Sequence, residues 1–343
     1  MMTLMTIDEA ILVSQQNIQN ALTTTDSVFR EITSYLSQST GKGVRSKLLL
    51  TSSINKDGLV PTDATKVAAA LELLHMATLI HDDVLDDALI RRGMATIHQK
   101  FDVKSAILCG DFILSLSLSM LSSVDRLRLS ELSGKIDKAN KASKESILPR
   151  FSQALASVCK GEYLQHKNAN NVDMSLYTYL RVISGKTAAL FYVATYAGGI
   201  LADETEENTQ NLARFGRCLG MIFQIIDDCK DYKWTEEMAQ KPVVSDLKNG
   251  VITLPLILAI KNDPPLRNIV KDFIAIQKAQ NDFEHFLKAL HNAKGVESAE
   301  HLANRYVKSA IKAIKGIAPK KRDALLKILY SIPGLELGQG VDK

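Results

Sequence analysis

What most constrains this chain is a rhythm. Apolar residues almost never alternate with polar ones over a strand-length run. Instead they recur at three- and four-residue spacing over long stretches. Ala68, Ala69, Leu71, Leu73, Leu74, Met76, Ala77 and Ile80 follow that spacing, as do Leu212, Phe215, Leu219, Ile222, Phe223 and Ile226, and again Ile311, Ile314 and Ile317. Only 8 prolines interrupt 343 residues, so long helices can run unbroken. The expected fold class is all-α. No Pro/Gly/Ser-rich linker divides the chain, which reads as one domain over residues 1–343.

Composition narrows the function more than the fold. Apolar residues make up 46% and charged residues 23%, a globular balance that excludes a disordered chain. A net charge of +4 is too small an excess to argue for nucleic-acid binding, so none is expected. Cys109, Cys159, Cys218 and Cys229 form no CxxC pair, which points to neither a disulfide framework nor a zinc site. The N-terminal segment has no basic start and no sustained apolar stretch, so a soluble, cytoplasmic protein is expected. The most apolar long window, residues 106–124, is broken by Gly110 and carries Asp111; it reads as a buried core helix. Residues 123–150 read as a polar surface insertion, helix or loop, and residues 334–343 as a flexible tail. Residues 305–327 carry many cations and one acid, Asp323. That stripe reads first as a solvated helix face, with peripheral contact to an anionic membrane as the most it implies.

Two acidic clusters carry the functional signal. In LELLHMATLIHDDVLDDALIRR an apolar helix runs into Asp82, Asp83, Asp86 and Asp87. Asp82 and Asp86 lie one helical turn apart, and Asp83 and Asp87 form a second pair beside them. Like charges at that spacing repel, so a cation is needed to neutralise them. The segment FQIIDDCKD repeats the pattern with Asp227, Asp228 and Asp231. Carboxylates with few His or Cys nearby suit a hard ion, and Mg²⁺ characteristically shares carboxylates with substrate phosphates. The pattern predicts a diphosphate held through Mg²⁺ between two acidic helices. Cations accompany the clusters: Lys42 and Arg45 in TGKGVRSK, Arg91 and Arg92 after the first cluster, Lys186 beside Thr187 in SGKTAALF, and Lys241 after the second. The GKT is not a P-loop, because neither the full GxxxxGK[ST] nor a preceding strand is present.

At these residues the sequence resembles the trans-type isoprenyl diphosphate synthases, or polyprenyl synthetases. Both DDxxD motifs match, as do the block LLHMATLIHDDVLDDALIRRG, the GKT, FQIIDD and the trailing KPVVSDLKNGVITLPLIL. The resemblance implies a single all-α domain around a deep central cavity, usually a homodimer, with a heteromer also open. It implies that Asp82, Asp83, Asp86, Asp227, Asp228 and Asp231 bind Mg²⁺. Arg91, Lys186, Gln224 and Lys241 match residues that hold the allylic diphosphate. Lys42, Arg45, His75 and Arg92 match those that hold isopentenyl diphosphate, and Thr187 lies near the reacting centre. His75 taken alone reads as a satisfied core histidine. The family pattern is altered at Gly43 and Ser46, at Gln240, and at Val251.

The implied reaction needs no enzymic nucleophile, which agrees with the lack of a Ser-His-Asp or Cys-His signature. Charge on the leaving diphosphate is neutralised, the isopentenyl double bond attacks the allylic cation, and a dry apolar cavity excludes water. The growing chain is expected to pass Ala77 and Thr78, with Ala77 about 7 Å from the first aspartate along the helix. Both are small where short-chain members resembling this block carry bulk. Leu74, Met76 and Leu71 could set a lower floor. A heptaprenyl to decaprenyl product is expected, octaprenyl favoured. The alternatives are a short-chain geranylgeranyl-type synthase, a non-catalytic regulatory subunit, and a terpene cyclase.

Overall fold

The computed structural model describes residues 3–24, 27–38, 41–133, 146–233, 245–275 and 283–335. Among these, helices dominate. Strand structure amounts to two short antiparallel pairs: β1 (Leu4–Met5) with β2 (Val60–Pro61), and β3 (Ile90–Arg91) with β4 (Met94–Ala95). The chain divides into two compact units, each assembled from separate segments. The first comprises Met1–Ser152, Val193–Ala213 and Gly316–Leu325; the second comprises Gln153–Tyr192, Arg214–Lys315 and Leu326–Lys343.

The N-terminal part of the first unit holds α1 (Ile7–Thr23), α2 (Arg30–Ser37), α3 (Val44–Ser52), α4 (Thr62–Leu85), α5 (Ile97–Lys100) and α6 (Val103–Ser133). A capping box opens α1: Glu9 N donates to Thr6 Oγ1, and Thr6 N donates to the Glu9 carboxylate at 2.8 Å. The centre is α4. Its run from Val67 to Leu71 is fully buried, so the helix has no polar face there and packs against α1, α3 and α6. Alanine and leucine at these positions are also strong helix formers, so local propensity and burial agree.

The apolar window in α6 departs from its expected place. Only about a third of the 23-residue stretch from Val103 to Asp125 is buried. Val103, Ile107 and Leu108 are exposed on one side, while Ala106, Cys109 and Ile113 enter the core on the other. By length and composition the stretch suffices to cross a membrane, but its buried side shows a two-faced helix rather than a fully buried one. The helix continues through Ser133, so the start of the polar 123–150 stretch is helical; residues 134–145 lie outside the described residues. Within that stretch Asp125 is buried. Its carboxylate accepts from Ser146 Oγ and from the backbone N–H groups of Ile147 and Leu148, ordering the entry to α7 (Leu148–Lys167).

Beyond α7 come α8 (Leu176–Ile183), a π-helical turn over Ser184–Ala188, α9 (Ala189–Leu201), α10 (Glu206–Lys230), α11 (Ser245–Lys248), α12 (Leu254–Asn262), α13 (Leu266–Ala275), α14 (Phe283–Asn292), α15 (Gly295–Ala313) and α16 (Pro319–Tyr330). In the second unit α12 packs on α15, and Phe273 stacks on Phe286 between α13 and α14 with ring centroids 4.9 Å apart. Residues 336–343, most of the expected tail, lie outside the described residues.

Candidate active site

The first acidic cluster sits at the C-terminal end of α4. The helix ends at Leu85, and Asp86 closes the last turn by donating its N–H to Asp82 O at 2.8 Å. This is the negative pole of the helix dipole, and α4 has no basic residue in its last turn, so the location adds to the mutual repulsion. The cluster is not uniform. Asp82 is half-buried and Asp86 exposed. Asp83 is buried and accepts from Arg91 Nε at 2.6 Å. Burial pushes the Asp83 carboxyl up, while the bond from Arg91 opposes that shift. The expected Asp83–Asp87 pair does not form on one helix face. Asp87 has left the helix at φ +49° and its side chain is 88% exposed.

Arg91 and Arg92 owe their places to a hairpin that periodicity could not reveal. Arg92 (φ +53°) and Gly93 (φ +78°) are both left-handed between β3 and β4, the two-residue turn that suits strand twist. The turn separates the guanidinium groups. Arg91 returns to Asp83, and Arg92 approaches Gly41, where an added Cβ would lie 2.8 Å from Arg92 Nη1. Gly41 therefore lets the segment from Gly41 to Gly43 close over Arg92.

Behind that loop, Arg45 Nη1 donates to His75 Nε2 at 2.9 Å, which places the His75 proton on Nδ1. Burial lowers the Arg45 pKa to about 10, with Glu72 opposing the shift. His75 is driven well below its usual value, first by burial and then by Arg45, Arg92 and Arg91. Glu72 also accepts the backbone N–H of Ser46 at 2.8 Å, so one carboxylate anchors the start of α3 and faces Arg45. Ser46, Glu72 and His75 border a cavity of about 460 Å³, with Arg45 behind His75 and not in its lining. Lys42, Arg92, His75 and Asp83 give it a charged lining, and Leu22, Met76 and Ile80 contribute apolar surface. Ala77, Thr78 and Leu74 do not line it. Ala77 and Leu74 are buried, Ala77 in a core cluster with Leu73, Ala106 and Cys109, and Thr78 Oγ1 donates to His75 O.

The second group lies on α10 and the π-helical turn, in the second unit. The extra residue of a π turn interrupts the regular ladder, a feature often found at functional sites. Here it spans SGKTA, so Lys186 and Thr187 both sit on it. Two glycines allow α7 to approach this turn. A Cβ on Gly161 would lie 2.4 Å from Lys186 N, and one on Gly185 2.6 Å from Ser157 O. Lys186 Nζ pairs with Glu162 at 2.7 Å, and Thr187 Oγ1 donates to Gln224 Oε1 at 2.6 Å.

The three aspartates of α10 also divide. Asp227 is exposed and meets Lys230 Nζ at 3.2 Å. Asp231 accepts the backbone N–H of Asp246 at 3.0 Å, tying the start of α11 to the motif. Asp228 is buried and accepts from Tyr179 Oη at 2.6 Å and Gln224 Nε2 at 2.8 Å. Burial raises the Asp228 pKa to about 7 against the pull of those two bonds. Lys241 lies outside the described residues, as do Gln240 and residues 242–244.

A chain whose two acidic helix ends each combine an exposed carboxylate with nearby cations is suited to anionic substrates. The polyprenyl synthetase family model matches residues 26–290. The chain belongs to the polyprenyl synthetase family. It is 33% identical over 311 residues to heptaprenyl diphosphate synthase component 2 of Bacillus subtilis, covering 90% of this chain and 82% of that protein. It is 33% identical over 266 residues to octaprenyl diphosphate synthase of Escherichia coli, covering 77% of each. The crystal structure of heptaprenyl diphosphate synthase from Staphylococcus aureus superposes with a TM-score of 0.80 at 31% identity, covering 96% of this chain and 98% of that one. This polyprenyl synthetase is accordingly a prenyltransferase that makes polyprenyl diphosphates, and its all-α fold is that of its structural relatives.

Enzymes of this family generally depend on a divalent metal, and the residues present fit one. Among the described residues no three His, Cys, Asp or Glu side chains form a metal-binding group by themselves. A hydrated Mg²⁺ needs only one or two carboxylates when phosphate oxygens complete its shell. Asp86 and Asp227 are exposed and Asp82 half-buried at the two helix ends, whereas Asp83 and Asp228 are buried and accept from Arg91 and Tyr179. Glu72, Glu162 and Tyr179 were not singled out by sequence reasoning. Their helical spacing was a usable signal: Glu72 precedes His75 by three residues, and Tyr179 precedes Lys186 by seven.

Proposed function

We propose that this prenyltransferase adds successive isopentenyl diphosphates to an allylic diphosphate, stopping at a medium to long all-trans chain, octaprenyl favoured. The observation that carries the chain length is the pair of small residues Ala77 and Thr78 before Asp82. Names of relatives support it, since both heptaprenyl and octaprenyl synthases are among them. Asp82, Asp86 and Asp227 would hold Mg²⁺, which supplies charge neutralisation at the leaving diphosphate. Arg91, Lys186 and Lys241 steady the allylic diphosphate. Lys42, His75 and Arg92, which line the cavity of the first unit, receive isopentenyl diphosphate together with Arg45, which bonds His75 from behind. The deciding experiment incubates the protein with farnesyl diphosphate, radiolabelled isopentenyl diphosphate and Mg²⁺, and sizes the dephosphorylated products. Products near C40 support the reading, and products no longer than C20 overturn it in favour of a short-chain synthase.

We infer further that a second copy of the chain covers the exposed side of α6. A long helix that leaves Val103, Ile107 and Leu108 in water carries an apolar stripe that favours burial, and pairing with its own copy about a two-fold axis is the commonest way such a surface closes. The component 2 relative favours a second reading, in which a different subunit takes that place.

A further inference from the structure

The hydrogen bonds around Gln224 run through four side chains with a fixed polarity. Tyr179 Oη donates to Asp228 Oδ2 at 2.6 Å, Gln224 Nε2 donates to Asp228 Oδ1 at 2.8 Å, and Thr187 Oγ1 donates to Gln224 Oε1 at 2.6 Å. The direction follows from the inventory of donors and acceptors. In its ionised form Asp228 only accepts, and both its oxygens are occupied by donors, so it takes the amide NH₂ of Gln224. The amide then offers its oxygen to Thr187, and the hydroxyl spends its one proton there. The lone pairs of Thr187 are left on the side away from Gln224. With the amide reversed, Gln224 would donate to Thr187 and the hydroxyl proton would turn outward. The two arrangements present opposite ends of the hydroxyl dipole.

That difference matters when positive charge develops. The allylic C–O bond breaks with its electron pair leaving on the diphosphate. The isopentenyl double bond supplies the pair for the new C–C bond, and a proton is then lost from carbon next to the resulting tertiary cation, with the released diphosphate as its acceptor. We propose that Tyr179 is a positioning residue for this step: through Asp228 it locks the Gln224 amide, so that Thr187 presents its oxygen and not its proton to the developing allylic cation. The proposal rests on the role given above to Thr187. The fold suits it, because α8 carries Tyr179 and leads directly into the π turn that carries Thr187, so one stretch of helix supplies both ends of the relay. Tyr179 and Thr187 are 2% and 6% exposed and Asp228 4%, and such dry surroundings strengthen a connected network.

The test is a double-mutant cycle on full-length protein, with farnesyl diphosphate, isopentenyl diphosphate and Mg²⁺. Tyr179→Phe keeps the ring and removes the donor. It is expected to lower kcat about tenfold, as for a lost bond to a charged group, with KM for both substrates within about twofold. In the Thr187→Val background the same change is expected to cost less than about twofold, because the dipole it orients is gone. Equal losses in both backgrounds, or an unchanged kcat in a well-folded Tyr179→Phe protein, overturn the proposal. 4-Aminophenylalanine at position 179 restores a donor at the same place and is expected to recover most of the lost kcat. If it stays as slow as Phe, or if Phe does not fold and 4-aminophenylalanine is equally costly with and without Thr187, Tyr179 is structural only. Absence of condensation by the wild-type protein would instead refute the functional reading, so the two failures are distinct.

Discussion

Asp82 and Asp83 are neighbours of identical chemistry in different surroundings, and burial separates them. Asp83 faces inward and is matched by Arg91, whereas Asp82 is half-buried and Asp86 exposed. Asp227 and Asp228 repeat the division on α10. We therefore expect Asp82→Ala and Asp227→Ala to lower turnover at least a hundredfold with helical circular dichroism and melting temperature unchanged. Near-normal turnover in either would remove the metal assignment. Position 75 yields a pH prediction. His75 is held well below its usual pKa by burial and by Arg45, Arg92 and Arg91. Its folded-state value is depressed, so the unfolded chain binds the proton more readily as pH falls below about 6.5. Stability present above that pH should be lost on acidification. The melting temperature of wild-type protein should fall between about pH 6.5 and 5 more steeply than that of His75→Gln. Parallel curves would show that His75 titrates normally.

Among the elements, α4 both frames a cavity and carries the acidic motif, and its faces differ in purpose. His75, Met76, Leu79 and Asp83 line the cavity, while Leu73 and Ala77 join the core cluster that includes Ala106 and Cys109 of α6. Ala77→Phe therefore tests the chain-length assignment at a cost. An aromatic placed among those small residues overpacks the core by about 1–3 kcal/mol, so the melting temperature should fall. If the growing chain passes Ala77, products should stop near farnesyl or geranylgeranyl diphosphate. Unchanged product length in the folded variant would place the floor elsewhere. The cation-rich C-terminal segment also divides by face. Arg305, Lys308, Lys312 and Lys315 are exposed along α15 and beyond it, as a solvated stripe requires. Lys321 is 1% exposed and bonds Glu204 at 2.6 Å. One residue of an apparently basic run is thus an interior ion pair, tying α16 to the loop before α10. Removing Glu204 alone would strand a buried charge.

At the scale of the whole molecule, the open side of α6 bears on the size of the particle in solution. Leu108 is 58% exposed and Ile107 42%. A glutamate at position 108 disturbs no buried contact within the chain but places charge in an apolar interface. Leu108→Glu should convert a dimer to a monomer in sedimentation velocity, with the far-ultraviolet spectrum unchanged. A wild-type protein that already sediments as a monomer would exclude the second copy and leave the second-subunit reading standing.

Sequence alone determined the fold class, because helical periodicity and scarce proline are local properties that leave few alternatives for chains of this length. It also pointed to prenyltransferase chemistry, because two acidic motifs with their flanking cations are each contiguous in the chain and match the polyprenyl synthetase pattern. Tertiary structure alone decided which member of each aspartate pair is buried, since the hairpin that returns Arg91 to Asp83 and the approach of Tyr179 to Asp228 are not visible in helical periodicity. It decided that the expected Asp83–Asp87 pairing fails, because the chain turns left-handed at Asp87. It also decided that a hydropathy profile reading as core has one wet side: hydrophobicity measures the cost of exposure, and only the neighbours of α6 determine which residues meet that cost.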